Sequence, residues 1–341
     1  MSKINNKKKK YLARIIVIEV IVVILLLATA KLYSSFRGTI EKIPRNYEDD
    51  EKIVQNEELE LDGYRNIVIF GLDSRDNSLK RGNSDTIMIA SIDNKNKDIR
   101  LVSIYRDTYV NIPDIGYDKI NAAYANGGYA LAINTINLNF DMDIEEYVTV
   151  SFKALVDTID ELGGITLDIE DEELKYLNGY VRELNRINDT DVKGLKSAGK
   201  QTVNGTQATA YARIRYTSGG DFKRTERQRI VISKVFDKIK GSKLTTIYDL
   251  IDTIFPQTLT NLSDDEIIDL SKGVLSYDIV DETGFPFEKE ARKYKKVSYV
   301  FPINLEDNVI RLHQFLFEKE IYKPSQKVKE YSEYIEGIRL K

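Results

Sequence analysis

The stretch that decides the fold is NIVIFGLDSR, residues 66–75. Its apolar part, Ile67 to Phe70, is short and rich in β-branched and aromatic residues, which is typical of a buried strand. Further strands of this kind are predicted at Ile87 to Ile92, Leu101 to Ile104 and Ile165 to Ile169. Helices are predicted at Tyr124 to Leu138, Phe152 to Leu162, Thr206 to Arg213 and Phe222 to Ile239. Strands followed by helices indicate an α/β fold.

Charged residues lie where the predicted strands begin or end. Asp73 and Arg75 follow the first strand, Asp85 comes just before the second, and Arg106 and Asp107 follow the third. A single Arg–Asp pair is usually a surface ion pair. Ligands of open α/β sheets, however, usually bind at strand ends. We therefore expect the three clusters to converge on one crevice.

The helix predicted at Phe222 to Ile239 has several basic residues near its start. At about 100° per residue, its buried stripe consists of Val231, Val235 and Ile239. Arg224, Arg227 and Gln228 continue this stripe, whereas Arg229 is expected to face solvent. Buried guanidiniums need anionic partners, because an unpaired buried charge is costly. The partner is either a bound anion, which a helix N-terminus favours, or an internal carboxylate, and the sequence leaves both open.

The residue types in these clusters are those of diphosphate chemistry. Arg213 and Arg215 add two more guanidiniums, whose planar forks match phosphate oxygens. Asp73 and Asp85 suit a hard cation such as Mg²⁺ (or Mn²⁺), which binds through one or two carboxylates together with phosphate oxygens. Asp221, at the start of the predicted helix, can act as an N-cap, a ligand or a base.

Composition excludes several other chemistries. The chain has 341 residues, no cysteine and a single histidine, His313, which we expect to be a packed surface residue. Thiol nucleophiles, Cys-ligated zinc, disulfides and histidine-based triads are therefore excluded. Six of the 50 basic residues and none of the 54 acidic ones lie in residues 1–14. The rest of the chain is therefore acidic, which argues against nucleic acid as the main partner.

The basic residues 1–14 precede a strongly apolar segment. Residues 15–33 are predicted to form a transmembrane anchor, with residues 1–14 in the cytoplasm and the remaining chain outside the cell. A signal peptide cleaved after Ala28-Thr29-Ala30 is the alternative. Residues 34–63 are predicted to be an acidic, solvated extracellular linker. They are followed by one catalytic domain at 64–318 and a charged tail at 319–341, which is expected to be a peripheral helix or frayed.

From Tyr64 to about Phe317 the chain resembles the LytR–CpsA–Psr family. The matching segments are Asn66 to Arg75, Ser84 to Thr86, Ser103 to Thr108, Lys119 to Tyr124, Leu162 to Ile165 and Arg213 to Gln228. The order and spacing of these segments are specific, although no single segment is. One departure is Tyr105, which stands where the family usually has proline and could alter the turn that presents Arg106.

The resemblance implies an α/β–α domain with a central mixed sheet flanked by helices. Such a domain binds a polyprenyl-pyrophosphate-linked glycopolymer and transfers it to peptidoglycan. By the family pattern, Asp73 and Asp85 would hold Mg²⁺. The residues that would contact the diphosphate are Arg75, Arg106, Arg213, Arg215, Arg224, Arg227 and Gln228. Arg215 is the least regular match, because the following loop, Thr217 to Gly220, departs from the family pattern.

The expected reaction is in-line attack by a muramic-acid hydroxyl on the phosphate attached to the polymer, with polyprenyl phosphate as the leaving group. Arg106 would stabilise the charge that develops, and Asp107 and Asp221 are the candidate bases. Two other functions are compatible with the same residues. One is a diphosphate hydrolase that uses water, and the other is a non-catalytic scaffold that binds an anionic envelope polymer.

Overall fold

The computed structural model of the protein describes residues 37–341, except positions 39, 48, 55–58, 60, 62, 73–78, 244–245, 247–248, 251–252, 274 and 319–320. The predicted cytoplasmic tail and anchor lie outside the described residues, as do Asp73 and Arg75. Within the described part of the chain, no helix is long and apolar enough to cross a membrane. The chain divides into two units, Met1–Lys42 and Ile43–Lys341. In the first, Glu41 N donates to Arg37 O (3.0 Å), which forms a helical turn.

All of the strands formed by described residues lie in the second unit. They are β1 (Tyr64–Leu72), β2 (Ser84–Asp93), β3 (Asp98–Ile104), β4 (Tyr109–Ile112), β5 (Gly116–Lys119), β6 (Glu146–Ser151), β7 (Ile165–Ile169), β8 (Gly199–Val203), β9 (Thr258–Thr260), β10 (Asp278–Phe285), β11 (Lys289–Tyr294) and β12 (Val297–Pro302). Six of them form one sheet in the order β10-β3-β2-β1-β6-β9. The pairs β1–β6 and β3–β10 are parallel and the others antiparallel, so the sheet is mixed as predicted. The pairs β4–β5, β7–β8 and β11–β12 form separate two-stranded sheets.

Helices cover both faces of the central sheet. They are α1 (Asn121–Phe140), α2 (Phe152–Glu161), α3 (Asp171–Asn188), α4 (Gly205–Ala212), α5 (Gly220–Lys240), α6 (Asp264–Gly273), α7 (Leu305–Phe317) and α8 (Gln326–Arg339), with short 3₁₀ turns at Asp50–Lys52 and Phe255–Gln257. Gly128 interrupts the helical geometry of α1. All four predicted helices are present, within three residues of the predicted ends.

Alternation along the strands divides the core between the two sheet faces. Val68 and Phe70 of β1 belong to the cluster that also contains the apolar residues of α1, α7 and α8. Ile67, on the opposite face, packs in a cluster with Ile232 and Phe236 of α5. A further cluster joins α2, α3, α4 and α5 beside the sheet. The helix α5 therefore contributes to two clusters, and this arrangement determines the environment of its arginines.

Three segments depart from the expectations. The C-terminal segment forms α8, whose Val328, Ile335 and Ile338 are buried in the core, so it is neither frayed nor peripheral. His313 is fully buried and stacks on Tyr322 with ring centroids 3.7 Å apart, so the expectation of a surface histidine is wrong. The segment 34–63 was expected to be a solvated linker. Its described part places Leu61 in the core and joins Val54 N to Asn134 Oδ1 (2.8 Å). These contacts involve residues far apart in sequence, which local pattern does not reveal.

Candidate active site at the carboxyl edge of the sheet

Strand directions bring the predicted charged clusters to one edge of the sheet. The strands β1, β3, β6 and β10 point the same way and β2 points the opposite way, so the start of β2 lies beside the ends of the others. Asp85 is the second residue of β2, and Arg106 comes two residues after β3 ends. Their side chains meet, with Arg106 Nη1 2.5 Å from Asp85 Oδ1. The second and third clusters therefore converge as expected, and the first lies outside the described residues.

Two arginines from elsewhere in the chain complete the shell around Asp85. Arg215 Nη2 lies 3.4 Å from Asp85 Oδ2, so each carboxylate oxygen has its own guanidinium. Arg224 Nη2 lies 3.5 Å from the backbone oxygen of Asp85. Arg215, the least regular match to the family pattern, thus has its side chain among the other arginines.

Asp221 lies among the same three guanidiniums. Its Oδ2 is 3.2 Å from Arg224 Nη2, and its Oδ1 is 3.7 Å from Arg106 Nη2 and 4.0 Å from Arg215 Nε. The helix α5 is capped by Gly219, whose φ of +86° is accessible to glycine at little cost, and no side chain accepts a capping hydrogen bond there. Asp221 therefore faces the arginines and does not serve as the N-cap.

The arginines of this cluster retain unused donors. Arg224 is 1 % exposed, and burial lowers the pKa of its guanidinium to about 10 despite the opposing charge of Asp221. Burial alone would also lower the pKa of Arg106, but the charges of Asp85 and Asp221 outweigh it and raise that pKa. The Nε atoms of both arginines are buried without a hydrogen-bond acceptor among the described residues. The cluster is thus short of acceptors, as expected for a site that takes an anion.

Beside this cluster lies an open, polar crevice of about 540 Å³. Its lining residues are Asn83, Asp85, Arg106, Tyr180, Glu183, Arg213 and Arg215. Arg213 Nη2 is 3.0 Å from Glu183 Oε1, and its guanidinium lies over the rings of Phe152 and Tyr180, at 5.7 and 5.5 Å from their centroids. Sequence reasoning missed Tyr180 and Glu183, which come from α3, a helix it did not predict.

Arg227 has an internal partner. It is 2 % exposed, and its Nε lies 2.6 Å from Oε1 of Glu173, which is itself buried. Its other nitrogens donate to Ile214 O (3.2 Å) and Thr217 Oγ1 (2.6 Å). Of the two alternatives left open by the sequence, internal ion pairing is the one observed for this arginine. Glu173 was not anticipated. Its Oε2 accepts from the backbone nitrogen of Glu170 (2.8 Å), which holds the carboxylate at the start of α3.

Arg229 is buried, so the expectation that it faces solvent is wrong. Only 7 % of it is exposed, and burial lowers the pKa of its guanidinium. The phase argument placed it correctly away from the Val231 stripe. It did not foresee that this second side of α5 packs on the sheet through Ile232 and Phe236.

Gln228 lines a narrow apolar pocket next to the crevice. The other lining residues are Ile69, Gly71, Thr86, Met88, Val150, Ser151, Phe152, Leu155, Ala212, Val231 and Ile232. Phe152 joins the two cavities, because the Arg213 guanidinium lies over its ring. At Gly71 a Cβ atom would lie 2.8 Å from Thr86 Cβ, so glycine permits the close approach of β1 and β2 here.

Asp107 points to a different partner from its neighbour Arg106. Its Oδ1 lies 2.8 Å from Lys119 Nζ. The turn that presents both residues closes through Thr108, whose N and Oγ1 donate to Tyr105 O at 2.9 and 2.6 Å. Tyr105 therefore supports a tight turn at the position where the family resemblance expects proline.

The predicted two-carboxylate metal site is only partly described, because Asp73 lies outside the described residues. Within the described part of the chain, no group of three or more acidic or histidine side chains is placed to hold a metal ion. Asp85 fits such a role as one ligand. It faces a polar crevice, and each of its carboxylate oxygens has a second lone pair beyond the one that meets an arginine.

Fold and site define the class of protein, an α/β domain with an arginine-rich polar crevice at the carboxyl edge of its sheet. The LytR_cpsA_psr family profile matches residues 31–309, so the chain belongs to the LytR–CpsA–Psr family. This agrees with the resemblance of the sequence motifs.

Named relatives and solved structures are similar to this chain over most of its length. The Polyisoprenyl-teichoic acid–peptidoglycan teichoic acid transferase TagU of Enterococcus faecalis (strain ATCC 700802 / V583) is 31 % identical over 73 % of this chain and 76 % of its own length. The corresponding TagT of Bacillus subtilis (strain 168) is 29 % identical over 68 % of this chain and 71 % of its own length. A solved structure of YwtF (TagT) with bound octaprenyl pyrophosphate lipid is 25 % identical, with a TM-score of 0.57 over 77 % of this chain and 94 % of that one.

Breaking the buried ion pair of Arg227 and Glu173 should destabilise the fold more than breaking an ion pair in the crevice, such as that of Arg213 and Glu183. Removing the charge of Glu173 in the Glu173→Gln variant leaves Arg227 buried without a counter-ion, which should lower the free energy of unfolding by about 3–5 kcal/mol. Glu183→Gln removes the half-exposed partner of Arg213 and should cost less than about 1 kcal/mol. Urea denaturation followed by circular dichroism measures both. Equal losses would contradict the structural role of the buried pair.

Proposed function

We propose that this protein is a transferase that moves a glycopolymer from a polyprenyl-diphosphate carrier onto a hydroxyl of peptidoglycan. The observation that carries the proposal is the cluster of Arg106, Arg215 and Arg224 around Asp85 and Asp221, with buried donors left unused. Guanidinium forks of this kind bind the oxygens of a diphosphate and stabilise the charge that develops on its leaving oxygen. The names of the relatives support the same reaction.

The apolar pocket supports a lipid carrier. It adjoins the polar crevice through Phe152, and aliphatic residues such as Ile69, Met88, Leu155 and Val231 line it. A diphosphate held by the arginines could therefore direct a prenyl chain into apolar surroundings while its sugar remains in the polar crevice. The similarity to the protein solved with octaprenyl pyrophosphate supports a prenyl diphosphate as the ligand.

The proposed step is an in-line displacement at phosphorus. The acceptor hydroxyl oxygen forms a bond to the phosphorus that carries the polymer. The bond from that phosphorus to the bridging oxygen breaks, and polyprenyl phosphate leaves with the electron pair. Asp221 takes the hydroxyl proton, because its carboxylate lies in the arginine cluster, whereas that of Asp107 is bound to Lys119. Arg106, Arg215 and Arg224 hold the transferred and leaving phosphates.

A Mg²⁺ ion (or Mn²⁺), held by Asp85 together with Asp73, would add further positive charge against the diphosphate oxygens. The remaining family contacts, Arg75, Arg213 and Gln228, are proposed to complete the donor site. Arg227 is assigned to holding the helix in place through Glu173, because all of its nitrogens have internal partners. The reaction requires an extracellular domain, which fits the proposed anchor at 15–33 and its basic flank.

Arg215 gives a direct test of the transferase assignment. Arg215→Gln should reduce transfer efficiency by roughly 10- to 150-fold, the equivalent of a charge-assisted hydrogen bond of about 1.5–3 kcal/mol. Arg182→Gln, at an exposed position of α3, should change it by less than about twofold. The measurement is incorporation of a polyprenyl-diphosphate-linked oligosaccharide into peptidoglycan fragments. Release of phosphate products without incorporation would assign a hydrolase, and binding without turnover would assign a scaffold.

The two candidate bases can be separated by paired substitutions. Asp221→Asn should slow single-turnover transfer by about 10²- to 10⁴-fold, the usual contribution of a positioned base. Asp107→Asn should lower it by about tenfold at most, through the lost contact with Lys119. The variant with the larger loss of transfer identifies the base, and circular dichroism confirms that both variants are folded. A larger loss in Asp107→Asn would move the base to that residue.

The metal assignment predicts a matched pair of losses. Asp73→Ala and Asp85→Ala should each abolish the Mg²⁺-dependent part of transfer, because each removes one carboxylate of the proposed metal site. Circular dichroism checks that both variants remain folded. Wild-type activity should fall with chelator and return with Mg²⁺. Wild-type activity that is insensitive to chelator, or full activity in both variants, would remove the ion from the mechanism.

A further inference from the structure

Arg229 is a buried charge that the proposed reaction does not use. On α5 it lies about 140° around the helix from Arg224, so the two guanidiniums face different surfaces. It is 7 % exposed, and its Nε and Nη1 atoms have no hydrogen-bond acceptor in the described part of the chain. Leaving buried donors without acceptors is costly, so this side chain points to a ligand.

A second cation, Lys289, lies in the same region, because the charge of Arg229 acts to lower its pKa. Lys289 Nζ is 5.0 Å from the ring centroid of Tyr105 and 5.1 Å from that of Phe222. Those two rings pack edge to face with their centroids 4.7 Å apart. Burial, followed by the charges of Arg311 and Arg229, lowers the pKa of Lys289, with Glu288 acting in the opposite direction. Lys289 donates to Phe287 O (3.3 Å) and forms no ion pair with the described residues.

The nearby acids do not neutralise these cations by direct contact. Glu226 and Glu282 contribute charge near Arg229, but each is engaged elsewhere. Glu226 Oε1 lies 3.2 Å from Lys223 Nζ, and Glu282 Oε2 accepts from Ser233 Oγ at 2.6 Å. A guanidinium and an ammonium thus share one region with no carboxylate bound to either, which is the arrangement of an anion site.

Tyr105 gives this region a fixed hydroxyl group. A Cβ atom at Gly284 would lie 2.3 Å from the Tyr105 hydroxyl oxygen, so the glycine leaves room for the phenol. This tyrosine replaces the proline expected at the position. Burial raises the pKa of this phenol and the charge of Arg229 opposes that rise, so Tyr105 and Arg229 share one region. The phenol in this region is therefore a feature of this chain's own sequence.

We propose that Arg229, Lys289 and Tyr105 form a second anion subsite, which binds a phosphodiester group of the donor polymer. The subsite adjoins the first, because Tyr105 precedes Arg106 and Phe222 follows Asp221 in the chain. A polymer attached to a diphosphate in the crevice can reach it, and the edge of the aromatic pair offers an apolar surface for the sugar or polyol between phosphates. The subsite rests on the proposed function for its choice of ligand. Anionic lipid head groups also present phosphodiester groups, and the experiment below distinguishes them from the polymer as the ligand.

The experiment compares two donors that share the lipid diphosphate and the first sugars. One donor carries phosphodiester repeats and the other carries neutral repeats. Isothermal titration of the full-length protein in detergent should show tighter binding of the phosphodiester donor. Lys289→Gln and Arg229→Gln should each weaken its binding by about tenfold or more. Binding of the neutral donor should change by less than about twofold. Lys293→Gln, an exposed lysine on the same strand, should leave both donors unaffected within about twofold.

The other outcomes overturn the subsite. Equal affinity of the wild type for the two donors, or equal losses for both donors in the variants, would show that Arg229 and Lys289 do not recognise the repeat. Loss of binding to phosphatidylglycerol vesicles in the variants, with donor affinity unchanged, would assign the subsite to lipid head groups. Because Lys289 is the first residue of β11 and is only partly buried, its variant tests the subsite even if Arg229→Gln unfolds. Turnover is measured separately, so a wild type that binds but does not transfer refutes the transferase proposal alone.

Discussion

The buried ion pair between Arg227 and Glu173 is the interaction on which the candidate site depends. Both side chains are almost inaccessible, and each is bound to more than its ionic partner. Glu173 also accepts from the backbone nitrogen of Glu170 at the start of α3, while Arg227 donates to Ile214 O and Thr217 Oγ1. One pair therefore ties α3, α5 and the loop between α4 and α5 together. Such pairs contribute little net stability but are costly to break, so they fix geometry. That geometry places Arg213, Arg215 and the first turn of α5 around the crevice.

Charge balance explains how so many guanidiniums can gather at the edge of the sheet. Asp85 and Asp221 each contact the same group of arginines, so neither like-charge repulsion nor desolvation acts unopposed. The compensation is incomplete, because burial still lowers the pKa of Arg224 and leaves its Nε without an acceptor. A ligand with several negative charges would complete it. Strand direction explains why Asp85 and Arg106 are neighbours, since the start of β2 and the end of β3 meet at one edge of the sheet.

Sequence patterns predicted the parts of this structure that repeat locally. The period of the strands and helices located β1 to β3 and the helix that carries the arginines, and helical phase correctly buried Arg224, Arg227 and Gln228. The same argument failed for Arg229, because phase identifies one face of a helix and cannot say whether a sheet covers the next. The role of Glu173 was not predicted and the burial of His313 was predicted wrongly, for a related reason. Arg227, the partner of Glu173, lies on a helix that is distant in sequence. Tyr322, the partner of His313, lies in the C-terminal segment, whose charge suggested that it was exposed.

Arg224, Arg227 and Arg229 lie within six residues of one helix, all buried, yet their environments differ in kind. Arg227 has an acceptor for every nitrogen. Arg224 contacts one carboxylate, that of Asp221, and the backbone oxygen of Asp85, and its Nε has no acceptor among the described residues. Arg229 has no acceptor for Nε or Nη1 among the described residues. Burial alone therefore does not distinguish a structural arginine from a binding one. The number of N–H groups without an acceptor does distinguish them, because an unpaired buried N–H group costs free energy and persists only where another interaction offsets that cost. By this criterion Arg227 is structural, whereas Arg224 and Arg229 are proposed to bind anions. The surfaces that these two face are about 140° apart around the helix. A glycopolymer substrate that carries a diphosphate and further phosphates along its polymer would provide acceptors for the arginines on both surfaces at once.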